Sequence, residues 1–274
     1  MEMIFIIGLL ITGIAVGLAS GLLGVGGCFI MVPVQFWVLT QMGIDPTIAI
    51  RIAFGTNLAV VLPTAISGAY GHNKKGAVLW KQTAYLGAFG FCGAILGAYI
   101  ASNLPGNVLK TAFGLVIVLG AVRMLTAKPM KIDEEPSESP ILYAIAGIFL
   151  GLVSGIIGIG GGVVMIPIMV LGLRFRMHQA VGTSTAVMAI TAIGGILSYM
   201  YNGWNVPGLP DYSLGYVNLP QFVLLAGTSV PMAFVGSKVA HMISNKNLMN
   251  IFIVVMLYMG LKMIGVYSWL GLPL

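Results

Sequence analysis

The chain has 274 residues, of which 58% are hydrophobic and only 7% are charged. Soluble globular domains carry about 25% charged residues, so the composition excludes an ordinary soluble enzyme and predicts an all-α polytopic membrane protein. The net charge of +6 does not indicate nucleic-acid binding, because in a membrane protein the placement of basic residues matters more than their sum.

Ten apolar runs follow one another along the chain, with bounds uncertain by a few residues. They cover residues 4–23, 28–42, 47–70, 78–101, 107–126, 141–157, 162–173, 178–201, 217–241 and 247–270. The first run is interpreted as a retained span rather than a signal peptide. The second and seventh runs follow glycine clusters and are too short for a comfortable crossing, which takes about 20 residues.

A polar segment separates two similar halves. Residues 127–140 read AKPMKIDEEPSESP, with four carboxylates, two lysines and three prolines, and are predicted to form a solvated linker. The flanking units are a first transmembrane repeat, 1–126, and a second, 141–274. Residues 17–33 (GLASGLLGVGGCFIMVP) and 151–167 (GLVSGIIGIGGGVVMIP) are identical at nine of 17 positions. The chain is therefore interpreted as an internal duplication with five apolar segments per unit.

An odd number of segments per unit predicts inverted repeats, because the second unit then starts on the opposite face of the membrane. The argument holds whether segments 1–2 and 6–7 cross fully or form re-entrant hairpins. Many secondary transporters are built from inverted repeats and bind their substrate at the repeat interface.

The basic residues divide unevenly between the two faces of this topology. The loops after the odd-numbered segments collect Lys74, Lys75, Lys81, Arg123, Lys128, Lys131, Arg174, Arg176, Lys238 and Lys246. The other face keeps Arg51, Lys110 and Lys262. This ten-to-three asymmetry predicts a cytoplasmic linker and two external termini in the cell membrane. The external loop 201–216 carries four aromatic residues that are expected to form an interfacial belt, Tyr201, Trp204, Tyr212 and Tyr216.

The paired glycine clusters are the first candidate for substrate binding. They contain Gly24, Gly26 and Gly27 in the first half and Gly158, Gly160 and Gly161 in the second. A break in a membrane helix is tolerated where it is buried in protein or lines a wet cavity, and the following half-helix points a partial positive charge into the turn. Two such ends predict an anion site, although close helix packing or a tight turn outside the membrane would also use glycine.

Polar residues at the starts of two long runs are the second candidate. Thr56 and Asn57 match Thr183 and Ser184 in the other half, and these groups could donate hydrogen bonds to an anion. Alternatively, the hydroxyl groups bond back to their own helix. Arg51 and His178 precede the two motifs and could contact the ligand, unless they reach toward the membrane surface.

The acidic residues all lie outside the centres of the apolar runs. They are Glu2, Asp45, Asp133, Glu134, Glu135, Glu138 and Asp211. The sequence thus lacks the intramembrane carboxylate that proton-coupled transporters commonly use. It also shows no P-loop, catalytic triad or metal-ligand spacing. No catalytic residue, metal or cofactor is predicted.

The doubled glycine motif with a following aliphatic-Pro pair, and AVGTS on the next helix, resembles the TauE/SafE family. The matching residues are Gly17–Pro33, Gly151–Pro167 and Ala180–Ser184. The resemblance implies transport of small sulfur-containing or organic anions, such as sulfite or sulfoacetate. Two positions of the first half depart from the second: Cys28 replaces Gly162, and Asn57 replaces Ser184.

A secondary carrier for a small anion, working by alternating access, is the leading interpretation. An anion channel built on the same glycine turns and a membrane scaffold or enzyme are the alternatives. The expected partners are the anionic substrate and the lipid bilayer, without nucleic acid, and a homo-oligomer is left open. The sequence does not select the anion, the direction of transport or a coupling ion.

Overall fold

A computed structural model describes residues 3–23, 27–126, 139–239 and 245–266. Within these ranges the chain forms ten α-helices and one short hairpin. The elements are α1 (Met3–Leu23), α2 (Cys28–Gln41), α3 (Pro46–Asn73), α4 (Trp80–Asn103), α5 (Gly106–Thr126), α6 (Pro140–Ile157), α7 (Gly162–Leu171), α8 (Met177–Asn202), β1 (Ser213–Leu214), β2 (Val217–Asn218), α9 (Leu219–Val239) and α10 (Asn245–Ile264).

Helix length sets α2 and α7 apart from the long helices, as the apolar runs predict, while α10 contributes a shorter apolar helix, Ile253–Ile264, in the described residues. Seven helices in the described ranges are long and apolar enough to cross a membrane: α1, α3, α4, α5, α6, α8 and α9. By contrast, α2 has 14 residues and α7 has 10. At 1.5 Å per residue they extend about 21 and 15 Å, well short of a hydrocarbon core of about 30 Å.

The helices pair mainly across the two halves of the sequence. The largest contacts join α4 to α6, α1 to α9, α4 to α8, α3 to α8 and α5 to α10. Glycine makes the α4–α6 interface tight, because a methyl group on Gly151 would collide with the backbone of Gly90, and one on Gly155 with that of Ala94. The long helices α3 and α8 contain the largest buried fractions and form the centre of the bundle.

The two halves place equivalent glycines against equivalent backbone. Gly55 of α3 lies against the carbonyl of Tyr216, which stands three residues before α9. Gly182 of α8 lies against the carbonyl of Ala77, three residues before α4, with 2.6 Å between the oxygen and the position a Cβ would take. The correspondence between the halves therefore extends from sequence to packing.

The segment between α8 and α9 differs from the predicted external loop. Val217 and Asn218 pair with β1 in an antiparallel hairpin, so α9 begins at Leu219 rather than at the start of the apolar run. Tyr216 was expected in an interfacial belt, but this is wrong: it is buried, because the hairpin folds inward against α3 and α8. The other three belt residues, Tyr201, Trp204 and Tyr212, are exposed.

Candidate functional site

The first glycine turn brings the start of α2 back alongside α1. Gly27 precedes α2 with a φ of +61°, and a Cβ there would lie 2.7 Å from Cγ1 of Val16. Val16 comes seven residues before the end of α1 at Leu23, so α2 begins about 10 Å short of that end. Gly24 and Gly26 lie outside the described residues.

The second glycine turn, residues 158–161 between α6 and α7, is the central break. Gly158, Gly160 and Gly161 have φ angles of +65°, +71° and +94°, a region that favours glycine. A Cβ would lie 2.5 Å from Cβ of Phe54 if added to Gly158, and 2.8 Å from Cγ1 of Val61 if added to Gly160. Both neighbours lie near the middle of α3, which places the central break at mid-depth of the longest helix.

Three carbonyl groups at the α6 end of the central break accept hydrogen bonds from distant side chains. The Tyr199 hydroxyl donates to Gly155 at 2.9 Å, the Asn57 amide donates to Gly158, and the Cys28 thiol donates to Ile159 at 2.6 Å. These bonds join α2, α3 and α8 to the break. Because the side chains satisfy carbonyls that the end of α6 leaves free, they offset its partial negative charge.

The α7 end of the central break presents hydrogen-bond donors instead. Gly161, the N-cap residue of α7, has no side chain to cap the helix, and Gly27 stands in the same position before α2, whereas the side chains of Asp45 and Ser139 cap α3 and α6. The hydroxyl of Ser154 is buried and lacks a partner among the described residues. It lies 3.9 Å from the position a Cβ would take on Gly161. At a helix N-terminus, backbone N–H groups and the helix dipole favour negative charge.

The two predicted threonines, Thr56 and Thr183, make equivalent contacts away from the central break. Thr56 accepts a hydrogen bond from the backbone N–H of Asn218 at 2.9 Å, and Thr183 accepts one from that of Leu79 at 3.1 Å. Each donor immediately precedes its helix, α9 or α4. The Ser184 hydroxyl donates at 2.9 Å to a carbonyl one turn earlier in its own helix. Of the four residues in the second predicted motif, Asn57 contacts the break directly.

Arg51 and His178 lie apart from the central break. The Arg51 guanidinium donates to the Tyr216 hydroxyl at 3.1 Å and to the Leu104 carbonyl at 2.9 Å, while its Nε is buried without a partner among the described residues. It thereby ties the hairpin and the α4–α5 connection to α3. His178 is exposed in the first turn of α8.

The structure adds Ser154 and Tyr199 to the predicted site residues and gives Cys28 a hydrogen bond across the two halves. Ser154 carries a sequence signal, since the doubled motif has serine at this position in both halves, as Ser20 and Ser154. Tyr199 carries none, because it reaches the break from a distant helix, whereas Cys28 stands out in the sequence only as the residue that replaces Gly162 in the doubled motif.

In the described part of the chain, seven helices able to span a membrane define a multi-pass helical membrane protein. A family model described as "Sulfite exporter TauE/SafE" matches residues 9–263. The chain belongs to this family, whose curated relatives carry names of membrane transporters.

Three relatives illustrate the similarity, and each is named "Probable membrane transporter protein" in its organism. The relative from Methanocaldococcus jannaschii is 30% identical over 93% of this chain and 94% of its own length. One from Haemophilus influenzae is 29% identical over 82% and 85%, and YunE of Bacillus subtilis is 27% identical over 95% and 98%. No solved structure matches the chain.

Proposed function

We propose that the protein is a secondary transporter that moves a small sulfur-containing or organic anion, such as sulfite or sulfoacetate, across the cytoplasmic membrane by alternating access. The central break is the proposed binding site. Membership of a transporter family supports the transport activity, and the chemistry of the break supports the anion.

One observation carries the preference for an anion over a cation: side chains bond to carbonyl groups at the α6 end of the central break, whereas the α7 end presents a hydrogen-bond donor. At the α6 end, three carbonyl oxygens accept bonds from the side chains of Tyr199, Asn57 and Cys28, which lessens their capacity to coordinate a cation. At the α7 end, the Ser154 hydroxyl has no partner among the described residues and lies 3.9 Å from the position a Cβ would take on Gly161, and a helix N-terminus favours negative charge. The site therefore offers donors to a negative oxygen.

The donors of the proposed site are electrically neutral, which suits a carrier. A neutral site binds an anion without a fixed counter-charge, so the anion can leave again. The Asn57 Oδ1 is buried without a partner in the described part of the chain and can accept a hydrogen bond. A singly protonated oxyanion such as hydrogensulfite would use both the donors and this acceptor.

The packing of equivalent residues supports inverted repeats as the basis of transport. Gly55 and Gly182 approach equivalent carbonyls, and Thr56 and Thr183 accept bonds from equivalent N–H groups. In an inverted-repeat carrier, the two repeats exchange conformations, and this exchange opens the binding site first to one face of the membrane and then to the other. The ten-to-three distribution of basic residues supports external termini and a cytoplasmic linker.

Flux through proteoliposomes tests this proposal. The purified protein should show saturable uptake of labelled sulfite and sulfoacetate, and an excess of unlabelled anion inside should accelerate entry of the label. Current without such counterflow would indicate a channel, and absence of any flux would contradict transport of these anions.

Two buried serines provide a matched pair of variants for the proposed site. Ser154→Ala removes an unpartnered hydroxyl, so it should weaken anion binding about tenfold at unchanged or higher melting temperature. Ser198→Ala removes a hydroxyl that donates to Ile95 at 3.0 Å, so it should lower the melting temperature and leave binding unchanged. Equal anion affinity in the Ser154→Ala protein and the wild type would exclude Ser154 from the site.

A further inference from the structure

Two buried glutamines lie outside the proposed site and have no partners among the described residues. Gln35 of α2 and Gln221 of α9 are both fully buried. In each, neither the amide nitrogen nor the amide oxygen has a hydrogen-bond partner in the described ranges. Buried amides are nearly always hydrogen-bonded, because an unpaired polar group costs free energy. Two such side chains therefore require an explanation.

Contacts along α1 give the height of Gln35 in the bundle. Gly27, before α2, lies against Val16, while the ring of Trp37 contacts that of Phe5 with centroids 5.6 Å apart. Hence α2 runs antiparallel to α1 and in register with it. Interpolation between these two contacts places Gln35 beside the second turn of α1.

Contacts between α1 and α9 give the height of Gln221. A Cβ on Gly13 would lie 2.9 Å from the carbonyl oxygen of Leu225, and Gly17 faces the carbonyl of Ser229. The two helices therefore run parallel, and four residues along one match four along the other. Extending this register places Gln221 beside the second turn of α1, at the height of Gln35.

Buried apolar residues lie one turn from each glutamine. Met31 and Val38, on the same face of α2 as Gln35, belong to one buried cluster with Leu225, one turn after Gln221. The second half has a methionine, Met169, at the position equivalent to Gln35, since both follow the matched proline by two residues. Met169 is fully buried, so packing alone does not demand an amide at this position.

We propose that Gln35 and Gln221 form a second, uncharged binding station for the transported anion, between α1, α2 and α9. The inference depends on the proposed function. Carboxamide N–H groups would replace part of the hydration of an anion oxygen and, without a fixed charge, release it readily. Gln35 lies seven residues along α2 from Cys28, so the station is about 10 Å from the central break. The anion would occupy it before or after the break.

Methionine substitutions separate a transport role from a packing role. Gln35→Met, Gln221→Met and the double variant keep the side-chain volume and remove the amides. The melting temperature should stay or rise, while counterflow of 35S-labelled sulfite should slow at least tenfold. Gln35→Glu retains hydrogen-bonding oxygens but adds a negative charge, and it should also slow the flux at least tenfold.

Gln82 of α4 is the matched control. It is half-buried, and its side chain hydrogen-bonds with Tyr143. Gln82→Met should therefore leave the flux within twofold of wild type.

Three results would overturn the inference, and each identifies a different reason for its failure. Wild-type flux in both methionine variants would reject the second station and leave the central break intact. A melting temperature lowered by each single variant and restored in the double variant, with flux following it, would show that the glutamines bond to each other. A wild-type protein that moves neither sulfite nor sulfoacetate would reject the proposed function together with this inference.

Discussion

Replacing Gly160 by alanine tests whether the central break requires its observed backbone. Gly160 has a φ of +71°, and an added Cβ would lie 2.8 Å from Cγ1 of Val61, closer than the 3.4–4 Å of ordinary van der Waals contact. The left-handed backbone costs about 1–2 kcal/mol for an L-residue, and overpacking adds about 1–3 kcal/mol. The Gly160→Ala protein should therefore be less stable by about 2–5 kcal/mol, and its altered break should bind anion weakly.

Gly76 provides the control for the backbone component. Its φ of +67° is close to that of Gly160, yet a Cβ would meet nothing within 4 Å. Gly76→Ala should thus lose only about 1–2 kcal/mol and keep the wild-type flux. Adding Val61→Ala to the Gly160→Ala protein should relieve the overpacking component, although the lost methyl groups offset part of the gain.

The measurements for this series are the free energy of unfolding in mixed detergent micelles and counterflow of labelled sulfite. The reasoning fails if Gly160→Ala and Gly76→Ala lose the same stability. It also fails if Gly160→Ala transports at the wild-type rate, because the glycine would then serve neither the packing nor the shape of the site.

Three further predictions concern topology, the matched threonines and coupling. Cysteines placed singly at Ser137 and Asp211, in a background without other cysteines, should react with an impermeant reagent from opposite sides; external labelling of both would contradict the inverted-repeat topology. Thr56→Val and Thr183→Val should each lower the free energy of unfolding by about 1–3 kcal/mol, because each leaves a backbone N–H unpaired. Clearly different losses of unfolding free energy in the two variants, measured by denaturation, would argue against equivalent contacts. An imposed pH gradient should drive sulfite more strongly than a permanently ionised sulfonate, and His178→Gln should leave downhill sulfonate flux unchanged. If both anions respond equally to the pH gradient and His178→Gln abolishes that response, the protein itself carries the proton.

Local features of the fold could be predicted from the sequence because they depend on composition and backbone conformation. Apolar runs separated by polar turns predicted the helices to within a few residues. The glycine cluster before residue 162 predicted a break followed by a short helix. In the structure Gly158, Gly160 and Gly161 adopt positive φ angles, and α7 begins at Gly162. Asn57 stood out because it belongs to a repeated motif, and the structure places it at the break.

Contacts between distant segments could not be predicted from a single sequence. The pairing of Cys28 with Ile159 and that of Tyr199 with Gly155 depend on which helix faces pack together, and hydrophobicity along the chain does not specify this. Tyr216 is an aromatic residue in a predicted external loop, which is typical of the membrane surface. It is buried because the hairpin carries it between α3 and α8.

The pairing of helices across the two halves constrains how the molecule arose. In a single half, α4 would lack α6, and the close backbone surfaces at Gly90 and Ala94 would be left against lipid. The α1 surface that packs on α9 would be uncovered in the same way. A half-length chain on its own would therefore need a second copy to cover these helix surfaces.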